Sequence, residues 1–153
     1  MPAITLASDA ELPAIIELLA ANGLPTEDLN PQSHPEFLVI RRDGRLAGVV
    51  GLERFANAGL LRSLAVRPGH RRHGYGIALT EAVERRAAQA GLATLFLLTQ
   101  TAEEFFRHRG YRAIERSEAP SDIRSNAQFR SLCPASAVCM KRELGAIEPG
   151  AAQ

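Results

Sequence analysis

Between Leu60 and Thr99 the chain reads LLRSLAVRPGHRRHGYGIALTEAVERRAAQAGLATLFLLT, and no other stretch restricts the fold as much. Two short apolar runs, at positions 60–66 and 94–99, enclose a helical pattern from about Gly74 to Ala90. Leu79, Val83, Ala87 and Ala90 recur on one face of that pattern, and Gly91 stops it. Strands joined by a tight turn lie antiparallel, whereas strands joined through a helix of this length lie parallel. One parallel strand pair is therefore expected here.

The flanking sequence supplies antiparallel partners and further helices. Ala3 to Leu6 reads as a strand. Ser8 offers an N-cap with Glu11 three residues on, and Ile15, Ile16, Leu18 and Leu19 form an apolar face before Asn22-Gly23. Three prolines between Leu24 and Glu36 predict a loop. Runs 37–42 and 45–55 are joined by Asp43-Gly44, a strong hairpin signal, and Asn57-Ala58-Gly59 reads as the next turn, before Leu60. Downstream, Ala102 to Arg109 forms a short helix closed by Gly110, and runs 111–115 and 136–142 read as strands. The expected fold class is α/β: one domain over 1–144, with a mostly antiparallel sheet, one parallel pair that splays and three to four helices. A flexible tail is expected over 145–153.

Composition closes off several function classes. Lys and Arg number 18 against 17 Asp and Glu, a net charge of +1, so no global field draws the chain to nucleic acid or to a membrane surface. The apolar runs are too short to span a bilayer, and Asp9 and Glu11 interrupt the N-terminus where a signal peptide would be basic and then apolar. A cytoplasmic protein is expected. Two cysteines, Cys133 and Cys139, do not make a disulfide framework, and no metal site is expected.

An anion site, if there is one, must then be local. Amides in the first turn of a helix have no intrahelical partner, and the helix dipole adds partial positive charge there. Gly74 and Gly76 would let phosphate oxygens approach the main chain. The spacing is neither a mononucleotide P-loop, which needs GxxxxGK[ST], nor a dinucleotide fingerprint, whose third glycine is Leu79 here. Alone, two glycines before a helix are as well read as a tight turn with a solvated basic edge.

The stretch does fit the pattern Arg/Gln-x-x-Gly-x-Gly/Ala, with Arg71, Gly74 and Gly76 in place. Together with the strand order and the later text AEEFFRHRGY, it resembles the GNAT superfamily of acyl-CoA-dependent N-acyltransferases. The resemblance implies acetyl-CoA as cosubstrate. It assigns the pyrophosphate to Arg71, Arg72, His73, Gly74, Tyr75, Gly76 and Ile77, and the pantetheine arm to the backbone of Leu64, Ala65 and Val66. Thr99, Phe105 and Phe106 would complete the coenzyme site. The segments GLPTEDL, LLTQTAEEFF and LCPASAVCMK further resemble the N-acetyltransferases of arsenic-resistance gene clusters, which implies a small-molecule amine as acceptor, possibly an amino-acid-like arsenical or a related toxin. Dimers are common in proteins of this kind.

Direct attack of an amine on a thioester needs a base, a polarised carbonyl and a proton for the departing thiolate. Glu53, a carboxylate in an apolar strand, is the candidate base, acting through water; equally, it reads as a partner for Arg62 on the next strand. Arg62, with Ser63, could clamp a carboxylate or oxyanion of the acceptor, or be bound by Glu53. Thr101, Arg124 and Arg130 are further acceptor-site candidates. The position commonly filled by a proton-donating tyrosine holds Phe106, which has no proton to give; Tyr75 and Tyr111 are weaker substitutes. Two alternatives stay open: a catalytically idle coenzyme A binder, suggested by Phe106, and a thiol-based arsenite-responsive module, suggested by Cys133 and Cys139.

Overall fold

A computed structural model describes residues 2–71 and 73–145. Arg72 and all of the expected tail except Gly145 lie outside the described residues. The strands are β1 (Ile4–Leu6), β2 (Glu36–Arg42), β3 (Arg45–Phe55), β4 (Ala58–Val66), β5 (Thr94–Thr99), β6 (Arg112–Ile114) and β7 (Val138–Glu143). The helices are α1 (Leu12–Ala21), α2 (Tyr75–Gln89), α3 (Glu103–His108) and α4 (Ser121–Arg124). The strands form one sheet in the order β1-β2-β3-β4-β5-β7-β6. β4 and β5 pair in parallel through a ladder of three, Ala58 with Thr94, Gly59 with Leu95 and Leu60 with Phe96. The fold is mixed α/β, mostly antiparallel with one parallel pair, as the crossover argument requires.

The chain divides into two compact units, Met1–Glu53 with Leu61–Arg85 and Arg54–Leu60 with Arg86–Gln153. In the first, the expected capping pair Ser8 and Glu11 closes a 3-10 turn over Asp9–Glu11 that leads into α1: the Ser8 N–H donates to Glu11 Oε1 at 2.9 Å. The same carboxylate accepts from Arg41 Nε at 2.7 Å and Nη2 at 2.6 Å, which ties the helix start to β2. Those bonds from Arg41 hold the Glu11 carboxyl at about 2, below its ordinary 4.5, against the opposing effect of burial. On the expected face Ile16 is partly buried at the edge of the cluster, while Ile15, Leu18 and Leu19 are buried, with Leu12, against Leu29, Phe37, Val39, Leu46, Val49 and Ala65. Each such side chain contributes about 1.5–3 kcal/mol, so packing rather than helix propensity holds this ten-residue helix.

The hairpin between β2 and β3 turns through Asp43 (φ 54°) and Gly44 (φ 77°). Two consecutive left-handed residues give the turn whose twist matches that of the strands. The next turn departs from expectation. It is made by Ala56 and Asn57, with Ala56 left-handed at φ 48°, and β4 begins two residues earlier than read from the sequence. Ala58 and Gly59 are held in the ladder with β5 and so are not free to turn. In α2, Leu79, Val83 and Ala87 are wholly buried, while Ala90 lies past the helix end and is exposed. Close approach of α2 to β3 needs a glycine at Gly48, where a Cβ would lie 2.9 Å from Leu79 Cδ1.

In the second unit, β5 and β7 pair over six residues, from Thr94 with Glu143 to Thr99 with Val138. β7 starts two residues later than expected because the Ala137 N–H closes a turn onto the Pro134 carbonyl. Ala58, Leu60, Phe96, Ala119, Ile123, Phe129 and Cys139 form the core of this unit.

Candidate functional site

β4 leads into a turn and then α2. The first intrahelical hydrogen bond runs from the Ala78 N–H to the Gly74 carbonyl at 3.0 Å, so the N–H groups of Tyr75, Gly76 and Ile77 precede the ladder. Gly74 enters the helix with φ 78°, a left-handed conformation that a side chain disfavours. Ile77 is an exposed apolar residue in this first turn. The Tyr75 ring is buried, and its hydroxyl accepts from Arg42 Nη1. Tyr75 also lies 5.5 Å from the His73 ring and 6.4 Å from His70, centroid to centroid.

The arginine of the motif serves the scaffold. Arg71 Nη2 donates to Asn22 Oδ1 at 2.7 Å, and Asn22 Nδ2 in turn donates to the Leu18 carbonyl, so a cation sits at the carboxyl end of α1. Arg71 Nε also reaches the Val66 carbonyl at 3.4 Å. The loop is thereby fixed to the end of β4 on one side and to α1 on the other.

Arg62 and Glu53 meet, and a third residue joins them. Arg62 is 4% exposed. Its guanidinium forks onto Asp28, with Nη1 to Oδ2 at 2.5 Å and Nη2 to Oδ1 at 2.9 Å; Nη1 also donates to Glu53 Oε1 at 3.1 Å, and Nε to Ser63 Oγ at 3.0 Å. A guanidinium has five N–H donors, and these four bonds occupy most of them. Arg62 is thus bound by protein carboxylates rather than held open as a clamp for an incoming one. Its arginine pKa is raised: burial alone would lower it, and Asp28 and Glu53 outweigh that. Asp28 responds in the opposite direction, lowered below 3.8, because Arg62 outweighs the desolvation that would raise it. Asp28 escaped the sequence reading because it lies in a proline-rich loop with no period, 34 positions from its partner.

The slot that receives Arg62 is made by Gly51 on β3. A Cβ there would sit 3.1 Å from Phe37 Cε1, 3.3 Å from the Arg62 carbonyl and 3.4 Å from Arg62 Cγ. Ser63, next along β4, has φ 60°, and it is the one non-glycine strand residue with a positive φ among the described residues. Leu64 and Val66 are half-buried, and Ala65 is buried in the core of this unit.

The remaining candidates belong to the second unit. Thr99 Oγ1 accepts from the Ala102 N–H at 3.0 Å and so caps the approach to α3. Phe106 is buried, edge-on to Phe105 at 5.1 Å and to Tyr111 at 5.4 Å. Thr101, Arg124 and Arg130 are exposed. Cys133 donates its thiol hydrogen to Gln128 Oε1 at 3.3 Å, across a π-helical turn at Gln128–Leu132. Cys139 is buried, and burial pushes its thiol up to about 11, which disfavours the thiolate that metalloid binding needs. Among the described residues no three His, Cys, Asp or Glu side chains gather as a metal site, and no helix is long and apolar enough to cross a membrane.

A family model described as an acetyltransferase (GNAT) domain matches residues 33–113, from the loop before β2 through β6. The chain belongs to the GNAT acetyltransferase family. Among curated proteins, this GNAT chain is 29% identical over 135 residues to the amino-acid acetyltransferase of Pasteurella multocida, covering 83% of the chain and 31% of that relative. It spans less than a third of the length of several curated relatives that it matches. Among solved structures, N-acetylglutamate synthase from Neisseria gonorrhoeae, complexed with coenzyme A and N-acetyl-glutamate, superposes with a TM-score of 0.79 at 24% identity, over 94% of the chain and 35% of that structure. The ribosomal-protein-S18-alanine N-acetyltransferase of Escherichia coli superposes with a TM-score of 0.71 at 17% identity, over 97% of both chains. At these identities the superpositions establish a shared GNAT fold.

Proposed function

We propose that this GNAT domain transfers the acetyl group of acetyl-CoA directly to the amine of a small molecule. The observation that carries the reading is the family match together with the entry to α2, where Gly74 is left-handed and three amides precede the helical ladder. Those amides, with His73 beside them, suit the pyrophosphate. Leu64, Ala65 and Val66 would pair with the pantetheine arm, and Thr99, Phe105 and Phe106 are further candidates for contact with the coenzyme.

In the chemistry, Glu53 takes the proton of the acceptor ammonium through a water. The amine nitrogen then attacks the thioester carbon, the C–S bond breaks, and the thiolate leaves with the electron pair. Forming the amide sheds a second proton from the nitrogen, and this passes through water to the thiolate; Phe106 cannot supply one, and a thiol, which titrates near ~8.5, keeps it at neutral pH. For the acceptor, the finer reading is an amino-acid-like compound, including the arsenical suggested by the Leu132 to Lys141 text. It draws support from the curated relatives named amino-acid acetyltransferases. Arg62 is bound by Asp28 and Glu53, and Arg124 and Arg130, both exposed, are the candidates for an acceptor carboxylate.

The experiment is thiol release from acetyl-CoA with panels of amino acids, amino-acid-like arsenicals and polyamines. Turnover on the first two panels supports the reading, and none on any panel sinks it. A second reading, a coenzyme A binder without turnover, is favoured by the buried, hydroxyl-free Phe106. It expects thermal stabilisation by acetyl-CoA in a protein that releases no thiol.

A further inference from the structure

A strand residue with a Cβ held at φ 60° needs a reason, because side chains disfavour that conformation and it persists only where neighbours over-determine it. At Ser63 the neighbour is Arg62, whose Nε–H holds Ser63 Oγ at 3.0 Å. Arg62 is itself aimed by the two parallel bonds to Asp28, and its stem is seated in the slot that Gly51 leaves. A chain of contacts therefore runs from a loop residue, Asp28, through a buried guanidinium to the backbone of β4, one residue before Leu64.

We propose that Asp28 is a positioning residue for the coenzyme arm: acting through Arg62, it fixes the left-handed turn at Ser63 and with it the direction in which the Leu64–Val66 backbone presents its polar groups. The inference rests on the reading of β4 as the strand that pairs with pantetheine. Asp28 is suited to the task because its fork fixes the plane of the guanidinium, which a single contact would leave free to rotate. Glu53 accepts from the same Nη1 at 3.1 Å, longer than the 2.5 Å of Asp28.

The test is calorimetric titration of coenzyme A into the full chain, with turnover measured alongside. Asp28→Asn keeps the shape of the side chain and loses the charge that aims Arg62. It is expected to weaken coenzyme A at least tenfold and to raise the KM for acetyl-CoA in parallel. In a Ser63→Gly background, where φ 60° carries no penalty, the same substitution is expected to weaken coenzyme A less than threefold. An Asp28 that only stabilises the fold would give equal losses in both backgrounds, and that result overturns the proposal. Arg62→Lys, which keeps the charge and loses the fork, serves if Asp28→Asn does not fold, with the same expectation in both backgrounds. The three-bond HN–Hα coupling at Ser63, measured without coenzyme, separates this proposal from the functional reading. A Ser63 that stays left-handed in Asp28→Asn refutes the positioning role, whereas a wild type that takes up no coenzyme refutes the function.

Discussion

Arg62→Met removes the cation that two carboxylates share while leaving an unbranched side chain in the slot beside Gly51. Four hydrogen bonds disappear, and Asp28 and Glu53 keep their charges with side chains only 20% and 24% exposed. Deleting one partner of a buried pair costs about 3–5 kcal/mol when the remaining charge is fully buried. Partial contact with water places the loss here at the bottom of that range, about 3 kcal/mol. In a chain of this size each kcal/mol moves Tm by roughly 2–4 °C, so the variant should melt about 6–12 °C lower near neutral pH. The pH dependence has a definite sign. The Asp28 pKa in the folded protein is depressed, so its stabilising contribution is present above 3.8 and is lost as pH falls below that. Without Arg62, burial, the largest influence on Asp28, is opposed only by a backbone hydrogen bond and pushes its pKa up relative to the wild type, so protonation relieves the variant at higher pH than it affects the wild type. Calorimetric melting from neutral pH down to about 4 should therefore show the gap closing on acidification. A variant within about 2 °C of wild type at neutral pH, or a gap that does not narrow, would refute the account of the triad.

Other expectations follow from single sites. Glu53→Gln should lower kcat by roughly 10²–10⁴, the range for losing a general base, with the calorimetric Kd for coenzyme A unchanged. Gly74→Ala forces a side chain into φ 78° at a cost of about 1–2 kcal/mol and should weaken coenzyme A by roughly tenfold in the same titration. Thiol labelling of folded protein near neutral pH should modify Cys133 and spare Cys139, whose thiol is pushed up to about 11, until denaturant is added. Glu11→Gln should cost about 1 kcal/mol at neutral pH. Denaturant titrations should show the wild type losing that contribution as pH falls from 4.5 towards about 2.

Where local chemistry decides, the fold is legible in the sequence. Asp43-Gly44, Gly23, Gly91 and Gly110 each punctuate an element and each adopts a positive φ, a conformation that favours glycine and, after it, aspartate and asparagine. The parallel pair was legible for a similar reason, since a long helix between two strands leaves few arrangements. The start of β4 was not, because an alanine at φ 48° made the turn and the ladder with β5 claimed Ala58 and Gly59. The site divides along the same line. The glycine-bearing entry to α2 is contiguous and was found. The ion pair of Glu53 with Arg62 was one of two readings on adjacent strands. Asp28 meets Arg62 across 34 positions and Arg42 meets Tyr75 across 33, and no periodicity announces such a contact.

The two-residue turn at Asp43-Gly44 also orders events in time. Its seven register pairs, from Arg42 with Arg45 out to Glu36 with Leu52, can zip outward from a minimal loop, a process of about 1–10 μs in isolated hairpins. Thr94, by contrast, meets Glu143 only after α3, β6 and α4 have been threaded between them, with the larger loop-closure entropy that implies. Pulse-labelled amides of β2 and β3 should accordingly gain protection from exchange well before those of β7, which makes this hairpin the part of the sheet that orders ahead of its far edge.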